Sequence, residues 1–387
     1  MITLGCRLNL AESERIRALI GDQATVVINT CAVTAEATRQ SRRAVRKAAR
    51  DHPEARVIVT GCAATIEPQA FAAMPEVDGV VPNDAKLLPA SWGASAAGPT
   101  VLPAARTRAF VPVQTGCDHA CTFCVIPQGR GMSRSLPVAE VLRDVAVHLA
   151  AGTKEVVLTG VDLTGWGADL PDGLRLGALV AAILAEFPDL PRLRLSSLDG
   201  IEIDAPLFDL IAHHPRVMPH VHLSLQAGDD MVLKRMKRRH SRGQAIDLIG
   251  RLRAARPDIA IGADLIAGFP TETPAMHANS LALIAECAIV HGHVFPYSPR
   301  PGTPAARMPP VDPPEVRARA AALREAVAHE RALWLGGLIG KPQAVLAERD
   351  GTGHSGAFAP YRLPRNARAG EILTLTPTRI VEGMLVP

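Results

Sequence analysis

Three cysteines lie close together in the run QTGCDHACTFCVIP, which begins at Gln114 directly after an apolar segment. Cys117, Cys121 and Cys124 have the spacing C-x3-C-x2-C. Three thiolates on one short loop can bind one inorganic centre, but a structural zinc ion takes four protein ligands and a 4Fe–4S cluster usually takes four cysteines. The spacing therefore predicts a metal site with one position open to a ligand that is not protein. A zinc site or a purely structural cysteine cluster is the alternative.

This spacing, with the aromatic Phe123 directly before the last cysteine, resembles the signature of radical S-adenosylmethionine enzymes. The resemblance implies that Cys117, Cys121 and Cys124 hold a 4Fe–4S cluster whose open iron chelates the amino and carboxyl groups of S-adenosylmethionine. It also implies that an electron from the cluster cleaves this cofactor to a 5′-deoxyadenosyl radical.

Strand-like and helix-like segments alternate over residues 1–82, which predicts an α/β domain with a doubly wound parallel sheet. The predicted strands are Ile2–Cys6, Thr25–Val33, Arg56–Ala63 and Val77–Pro82. The first three carry Cys6, Cys31 and Cys62 at or near their ends. Because the carboxyl ends of parallel strands lie along one edge of a sheet, we expect these three thiols to form a second three-thiolate site. Three separate buried core thiols are the alternative.

Residues 83–108 are rich in Pro, Ala, Gly and Ser without periodicity, which predicts a linker. Strand–helix alternation resumes over residues 109–337. The predicted strands are Ala109–Gln114, Glu155–Leu163, Arg192–Leu198, His220–Gln226, Ile259–Phe269 and His293–Ser298. The predicted helices are Val138–Ala151, Arg175–Phe187, Ala205–His213, Arg242–Arg256, Pro274–His291 and Pro314–Leu335. Six βα units are too few for a closed eight-fold barrel, so we expect an open, partial (β/α)6 barrel with its chemistry at the carboxyl ends of the strands.

Polar residues follow the predicted strands of this barrel at the ends where a cofactor would bind. They are Gly160 and Asp162 at the end of the second strand, Ser197 and Asp199 at the end of the third, and Gln226 at the end of the fourth. Each alone is an ordinary turn or cap residue, but together they offer groups that hold amino, carboxyl and ribose groups. The resemblance implies that LTGVDL binds the methionine amino group, that SSLDG and SLQ hold the carboxyl and ribose groups, and that Phe123 belongs to the same cofactor site.

The charge of the chain and its cysteines indicate which partners and which cellular compartment to expect. The net charge is +4, and the densest basic run is Lys234–Arg242, where Arg235, Lys237 and Arg238 are candidate RNA phosphate contacts. The sequence has no signal peptide and no apolar run long enough to cross a membrane. Seven cysteines without a secretory signal indicate reduced thiols and a cytoplasmic protein, with Cys287 in an apolar helical run as a core thiol.

Residues 338–387 contain short β-like runs separated by glycines, which predicts a small β-barrel. The runs are Gln343–Glu348, Ala357–Tyr361, Glu371–Pro377 and Arg379–Val386. Arg362 and Arg365 are candidate RNA contacts in this domain, although scattered arginines are also common on a solvated surface.

Motifs along the whole chain resemble the radical S-adenosylmethionine methylthiotransferase family, with a C-terminal domain of the TRAM type. They are GCRLN, VINTCAVT, TGCAA, the cysteine loop, SLQAG, GFPTET and FPYSPRPGTPAA. The resemblance implies two 4Fe–4S clusters, of which the auxiliary one, held by Cys6, Cys31 and Cys62, supplies or carries sulfur. It also implies an external sulfur source and an electron donor of the flavodoxin or ferredoxin type, and a second S-adenosylmethionine as methyl donor.

The family has three branches, which act on isopentenyladenosine in tRNA, on threonylcarbamoyladenosine in tRNA, or on an aspartate of a small-subunit ribosomal protein. NTCAVT and FPYSPRPGTPAA are most similar to the threonylcarbamoyladenosine branch, whose substrate lies next to the anticodon. GCRLN lacks the Pro-Lys of the ribosomal-protein branch. A non-catalytic iron–sulfur protein that binds RNA is the remaining alternative.

Overall fold

The first part of the chain is a parallel sheet with helices on both faces. The computed structural model describes residues 1–21, 23–94 and 106–387. The sheet has the order β1-β2-β3-β4, with strands β1 (Ile2–Thr3), β2 (Thr25–Thr30), β3 (Arg56–Gly61) and β4 (Gly79–Val81). Its helices are α1 (Arg7–Ile20), α2 (Ala35–Asp51), α3 (Cys62–Ile66) and α4 (Pro68–Ala72).

Side chains of β2 and β3 alternate between the two helical layers, as the period of a strand requires. Ile28 and Val57 pack in the core that includes α2 and α4, whereas Val27 and Ile58 pack with Ile16 of α1. A parallel sheet is stable when both faces are covered. The predicted parallel α/β arrangement of this region is therefore present.

The predicted linker begins with residues that belong to the first region. Lys86 is 1% exposed, and its ammonium group lies 2.5 Å from a carboxylate oxygen of Glu12. Trp92 packs on Ile16 and Ile20, and its indole Nε1–H donates to the carbonyl oxygen of Lys86. The segment predicted as a linker therefore begins with residues 83–94 packed on the first region, because an apolar ring and a paired cation anchor them. Residues 95–105 lie outside the described residues.

The central region contains two parallel sheets, with the orders β5-β8-β9 and β10-β11-β12-β13, and a short antiparallel pair, β6-β7. The strands are β5 (Arg108–Pro112), β6 (Gln114–Thr115), β7 (Arg134–Ser135), β8 (Glu155–Thr159), β9 (Arg192–Leu195), β10 (Ser197–Leu198), β11 (His220–Gln226), β12 (Ala260–Ala267) and β13 (Ile289–Pro296). The helices are α5 (Ile126–Arg130), α6 (Val138–Ala150), α7 (Leu176–Glu186), α8 (Ala205–His213), α9 (Asp230–Met236), α10 (Arg242–Ala255), α11 (Pro274–Glu286) and α12 (Pro313–Gly336).

All six predicted strands are present, although several of their bounds differ from the prediction and one predicted helix ends earlier. The third is interrupted at Ser196, so that β9 and β10 belong to different sheets. The helix predicted to reach His291 ends at Glu286, and His291 lies in β13 instead. The reversal occurs at Ala288, whose φ of 43° does not continue a right-handed helix. The apolar residues on either side of this turn concealed it in the sequence.

The central strands have one apolar face and one polar face. Val156, Leu193, Leu223 and Ile261 belong to the core between strands and helices, which also contains the buried thiol of Cys287. Alternate positions carry charged and imidazole groups, and we call their side the polar face. Its residues are Arg108, Glu155, Arg192, Arg194, His220, His222, Asp264, His291 and His293.

The C-terminal region is a six-stranded sheet with the order β17-β14-β15-β16-β19-β18. Its strands are β14 (Gln343–Ala347), β15 (Thr352–Ser355), β16 (Pro360–Arg362), β17 (Ile372–Leu375), β18 (Arg379–Val381) and β19 (Met384–Val386). The sequence prediction missed β15 and took the hairpin β18–β19 for one strand, because the turn at Glu382 and Gly383 is short. Val345, Tyr361 and Leu385 pack on Leu335 of α12. None of the helices in the described ranges is both long and apolar enough to span a membrane.

Candidate active site

The predicted cysteine loop lies between β6 and α5, and each of its three sulfurs accepts a weak hydrogen bond. The backbone N–H of His119 donates to Cys117 Sγ at 3.4 Å, and that of Ile126 donates to Cys124 Sγ at 3.5 Å. The guanidinium group of Arg238 donates to Cys121 Sγ at 3.6 Å. Donors aimed at sulfur stabilise thiolate ligands and tune the metal that they hold. The loop is therefore built to hold thiolates.

A glycine makes the start of this loop possible. Gly116 has a φ of 75°, and a Cβ atom at this position would lie 1.9 Å from the carbonyl oxygen of Met132. The close approach lets the N–H of Cys117 donate to the carbonyl oxygen of Gly131 at 3.1 Å. Any side chain at Gly116 would push the two arms of the loop apart.

Burial makes the Cys117 and Cys124 thiols poor acids in the absence of a metal. It raises the pKa of Cys117 to about 12 and that of Cys124 to about 11, against a smaller lowering by the backbone hydrogen bonds. These two thiols are therefore protonated at neutral pH, and metal binding must displace their protons.

Gln114 joins the cysteine loop to the end of β8. Its side-chain oxygen accepts the N–H groups of Val161 and Asp162 at 3.0 and 2.9 Å, and its amide nitrogen donates to the carbonyl oxygen of Gly116 at 2.9 Å. A Cβ atom on Gly160 would lie 2.9 Å from the same Gln114 oxygen. Gly160 and Asp162 therefore lie where the sequence predicted, beside the cysteine loop.

Two acidic residues at the strand ends pair with cations around the loop. The Asp162 carboxylate lies 2.8 Å from Nε2 of His119, and this hydrogen bond is the main cause of the raised pKa of His119. The Asp199 carboxylate accepts from Arg238 at 3.0 Å and from Arg239 at 3.3 Å. The ends of both strands and the cysteine loop thus form one polar site.

Several buried polar atoms of this site are not satisfied by protein. Within the described part of the chain, Ser196 Oγ, Asp199 Oδ1 and Arg238 Nε have no hydrogen-bond partner. Buried polar groups are normally paired, so orphaned atoms at one place indicate a bound polar molecule or water. Donors and acceptors together fit a ligand with amino, carboxyl and hydroxyl groups, and so the residues present fit S-adenosylmethionine.

The other predicted cofactor residues lie near this site without a direct link to it. Phe123 packs edge-on against Phe269 at the end of β12, with 6.4 Å between ring centres. Ser197 pairs with His222 in the sheet, and Gln226 has a φ of 67° at the end of β11. No hydrogen bond within the described ranges joins the side chain of Ser197 or Gln226 to the cysteine loop.

The second cysteine triplet lies at one edge of the first sheet, as predicted. Cys6, Cys31 and Cys62 come after β1, β2 and β3, which are neighbours in the sheet. Gly5 has a φ of 90°, and a Cβ atom there would lie 2.8 Å from Cys31 Sγ. Burial, followed by the neighbouring Cys62 and Cys6 thiols, raises the pKa of Cys31 to about 11. The three sulfurs are therefore electrostatic neighbours.

Cys62 of the second triplet lies against the helix that follows the cysteine loop. Helix α3 begins at Cys62 and packs on α5, which begins two residues after Cys124. A Cβ atom on Gly129 of α5 would lie 3.4 Å from Cys62 Cβ. Asn83 bridges the contact, because its Nδ2 donates to the carbonyl oxygen of Gly129 and lies 3.6 Å from Cys62 Sγ.

The number of thiols in each triplet bears on the kind of centre that they hold. Each triplet offers three cysteine sulfurs and leaves one position open. A structural zinc ion takes four protein ligands, so these all-cysteine donor sets fit a multi-iron cluster with an open position better than a zinc ion.

An ionic network that was not predicted from the sequence joins α1, which follows Cys6, to α5, which follows the cysteine loop. Glu12 of α1 binds Arg130 of α5 at 2.9 Å and Lys86 at 2.5 Å, and Arg130 also donates to Asn9 Oδ1 at 2.6 Å. Burial favours a higher pKa for Glu12, but the charges of Lys86 and Arg130 together lower it. The available signal was the position of Glu12 on the buried side of α1, beside Leu8, Ala11 and Ile16.

The predicted RNA contacts divide into two groups. The Arg238 side chain is 7% exposed and bound to Asp199, and Arg235 donates to the carbonyl oxygen of Thr271 at 3.2 Å. The chain itself engages both side chains, and their assignment as RNA contacts stays a prediction. Lys237 is exposed, as are Arg362, which pairs with Glu382 at 2.8 Å, and Arg365.

The two regions of the chain that carry the cysteine triplets each match a known protein family. Residues 111–284 match the family described as "Radical SAM superfamily", and residues 1–82 match "Uncharacterized protein family UPF0004". The "Threonylcarbamoyladenosine tRNA methylthiotransferase MtaB" of Rickettsia prowazekii is 43% identical, over 100% of this chain and 96% of that protein. The "tRNA-2-methylthio-N(6)-dimethylallyladenosine synthase" of Paracoccus denitrificans is 34% identical, over 90% and 85%.

Solved structures share the fold at low identity. The radical S-adenosylmethionine methyltransferase TsrM from Kitasatospora setae has a TM-score of 0.52 and 16% identity, covering 76% of this chain and 68% of that one. This likeness concerns the fold alone. It agrees with an α/β chain of parallel sheets.

Proposed function

The chain belongs to the radical S-adenosylmethionine methylthiotransferase family, and from this premise we propose that it converts N6-threonylcarbamoyladenosine next to the anticodon of a tRNA to its 2-methylthio derivative. The observation that carries the reaction is the contact of α3 with α5, which brings Cys62 of the second cysteine triplet against the helix that follows the cysteine loop. The substrate follows from the full-length relative at 43% identity, which is named for that nucleoside.

We assign two 4Fe–4S clusters to the two triplets. Cys117, Cys121 and Cys124 would hold one cluster with an iron open to S-adenosylmethionine, and Cys6, Cys31 and Cys62 would hold the auxiliary cluster. When bound, these groups supply the electron that cleaves S-adenosylmethionine and the sulfur that is transferred. A radical is required because no side-chain base can remove the unactivated hydrogen of the adenine.

We propose that residues of the chain position the cofactor. Gln114 holds the backbone of Gly160 and Asp162 against the cysteine loop. Arg238 holds Asp199 and contacts Cys121. We propose that these groups, with Phe123, Ser197 and Gln226, bind S-adenosylmethionine.

We further propose that the central sheets form an open, partial (β/α)6 barrel over residues 109–337 and that residues 338–387 form a TRAM-like RNA-binding barrel. Residues 1–82 with the anchored segment to residue 94 would then form the auxiliary-cluster domain. Lys237, Arg362 and Arg365 remain candidates for contacts with the anticodon stem-loop.

The proposed reaction needs partners that the chain does not supply. They are an electron donor of the flavodoxin or ferredoxin type and a source of sulfur for the auxiliary cluster. Because the substrate is tRNA, we place the protein in the cytoplasm.

The experiment that tests this function is mass spectrometry of tRNA nucleosides from cells with and without the gene. Loss of the 2-methylthio derivative of threonylcarbamoyladenosine, with accumulation of its precursor and recovery on complementation, is expected. An unchanged nucleoside profile would contradict the proposal. A purified, reconstituted protein that does not cleave S-adenosylmethionine would instead support the non-catalytic alternative.

A further inference from the structure

An arginine from the first domain reaches the polar face of the central strands. Arg7 is the residue after Cys6 and the first residue of α1. Its guanidinium carbon lies 5.7 Å from the ring centre of Phe110 on β5 and 5.9 Å from that of Phe358, in the turn between β15 and β16. All three regions of the chain therefore meet around this one cation.

The other cations of the polar face are neutralised by the protein. Glu155 is fully buried and lies 2.7 Å from Arg108 and 2.8 Å from Arg194. Arg108 also pairs with Glu348 at 2.9 Å, and Arg194 donates to the carbonyl oxygen of Gly356. These arginines hold the C-terminal sheet against the central strands, so their charges are already engaged by groups of the protein.

Arg7 has no such partner. Throughout the residues that the structure describes, its guanidinium group makes no hydrogen bond and no ion pair. The charged groups close enough to act on it are Arg108 and Arg194, which repel it, and Glu155 and Asp264. Both carboxylates are engaged elsewhere, because Asp264 binds the imidazoles of His222 at 3.0 Å and His293 at 3.1 Å.

The surroundings of Arg7 favour an anionic ligand. Four arginines, at positions 7, 108, 192 and 194, stand against three carboxylates, at positions 155, 264 and 348. The arginines therefore outnumber the carboxylates, and Arg7, which is exposed to solvent, is the one of these four arginines that no carboxylate contacts in the described residues. A guanidinium group lying over aromatic rings presents its N–H groups as a planar fork, which matches the two oxygens of a carboxylate.

We propose that Arg7 binds the carboxylate of the threonylcarbamoyl group and so selects this substrate over a dimethylallyl group, which carries no charge. The inference rests on the proposed function and identifies a specificity residue for it. Arg7 is covalently adjacent to Cys6, a proposed ligand of the auxiliary cluster. The group that recognises the substituent of the adenosine is thus fixed relative to the cluster that modifies its ring.

The test measures binding and turnover of four anticodon stem-loop RNAs by the reconstituted holoenzyme. They carry threonylcarbamoyladenosine, its uncharged carboxamide analogue, dimethylallyladenosine and unmodified adenosine. The variants are Arg7→Gln, which removes the charge, and Arg7→Lys, which keeps it without the fork. Arg17→Gln is the matched control, because Arg17 is an exposed arginine of the same helix.

The wild-type protein should bind the carboxylate RNA about 10- to 100-fold more tightly than the carboxamide RNA, the range expected for a hydrogen bond to a charged group. Arg7→Gln should lose this preference and bind both RNAs equally, Arg7→Lys should keep part of it, and Arg17→Gln should keep all of it. Cluster iron content checks that each variant is intact. If Arg7→Gln does not fold, Arg7→Lys decides the matter, because loss of part of the preference supports the inference and an unchanged preference contradicts it.

Two results would overturn the inference. One is an Arg7→Gln protein that still prefers the carboxylate RNA as the wild type does. The other is an equal weakening for all four RNAs, which would mean that Arg7 contacts a backbone phosphate. A wild-type protein that prefers the carboxylate but forms no methylthio product would instead contradict the proposed function and leave the recognition in place.

Discussion

Nε2 of His119 lies 2.8 Å from a carboxylate oxygen of Asp162, and this contact joins the cysteine loop to the end of β8. His119 lies between the first two cysteines of the loop, so the same short segment offers metal ligands and a contact to the residues that follow β8, among them Gly160. Only 19% of the His119 side chain and 11% of the Asp162 side chain are exposed. The contact between His119 and Asp162 therefore links the proposed cluster site to the proposed cofactor site.

Replacing His119 by Ala should weaken binding of S-adenosylmethionine by about tenfold, because a hydrogen bond that involves a charged group contributes about 1.5 kcal/mol or more. His119 is a positioning residue, so the cluster iron should be retained. Equilibrium dialysis of the reconstituted protein measures the affinity, and His329→Ala, on the exposed side of α12, is the control. An unchanged affinity in His119→Ala would show that the contact has no such role.

Replacing Glu12 by Gln should destabilise the protein by about 3–5 kcal/mol, because Arg130 and Lys86 would remain buried without their counter-charge. The pKa of Glu12 is lower in the folded than in the unfolded state. Its contribution is therefore present above about pH 4.3, the unfolded value, and is lost as the pH falls through the lower folded value. Chemical denaturation across this pH range should show an acid-dependent loss in the wild type that is smaller in Glu12→Gln. Equal stability of the two proteins at pH 7 would rule this out.

Removing the auxiliary triplet should separate the two clusters. The anaerobically reconstituted wild type should contain about eight irons, and the triple variant of Cys6, Cys31 and Cys62 to Ala should contain about four. Cys117→Ala should abolish formation of 5′-deoxyadenosine, whereas Cys31→Ala should retain some cleavage and lose methylthiolation. Cys287→Ala, a change in the apolar core, should retain activity. A triple variant that keeps both clusters would remove the assignment of the auxiliary site.

Exposed basic residues should control the salt dependence of tRNA binding. Changing Lys237 and Arg365 to Ala should weaken binding at low salt and reduce the slope of log K against log salt by about one for each phosphate that is no longer bound. Binding of S-adenosylmethionine should not change. Changing Arg238 to Ala should weaken binding of S-adenosylmethionine and leave the salt slope of tRNA binding unchanged, since this side chain contacts Asp199 and Cys121. A salt slope that is the same in all three proteins would argue against these phosphate contacts.

Much of the site was predictable because it depends on local sequence. The spacing of Cys117, Cys121 and Cys124 and the polar strand ends at Gly160, Asp162 and Asp199 are read directly from short motifs. The alternation of strands and helices also predicts that Cys6, Cys31 and Cys62 lie at one sheet edge. These inferences rest on the geometry of parallel sheets, which does not depend on distant contacts.

The features of the site that could not be predicted depend on contacts between residues that are far apart in the sequence. Arg238 lies in a basic run that is typical of an exposed surface, and only the fold shows that it turns inward to Asp199. The histidines at 222 and 293 are scattered in sequence, yet β12 brings both to Asp264. Arg7 likewise gave no local signal, because its neighbours Phe110 and Phe358 come from two other regions.

The most direct measurement of the central claim is methylthio transfer by the reconstituted protein to three separate substrates. They are tRNA bearing threonylcarbamoyladenosine, tRNA bearing isopentenyladenosine, and the small-subunit ribosomal protein. We predict a product of greater mass on the first substrate alone, dependent on S-adenosylmethionine and on both cysteine triplets. Product on either of the other two alone would contradict the substrate assignment, and the absence of product on all three from a protein with both clusters would contradict the reaction itself.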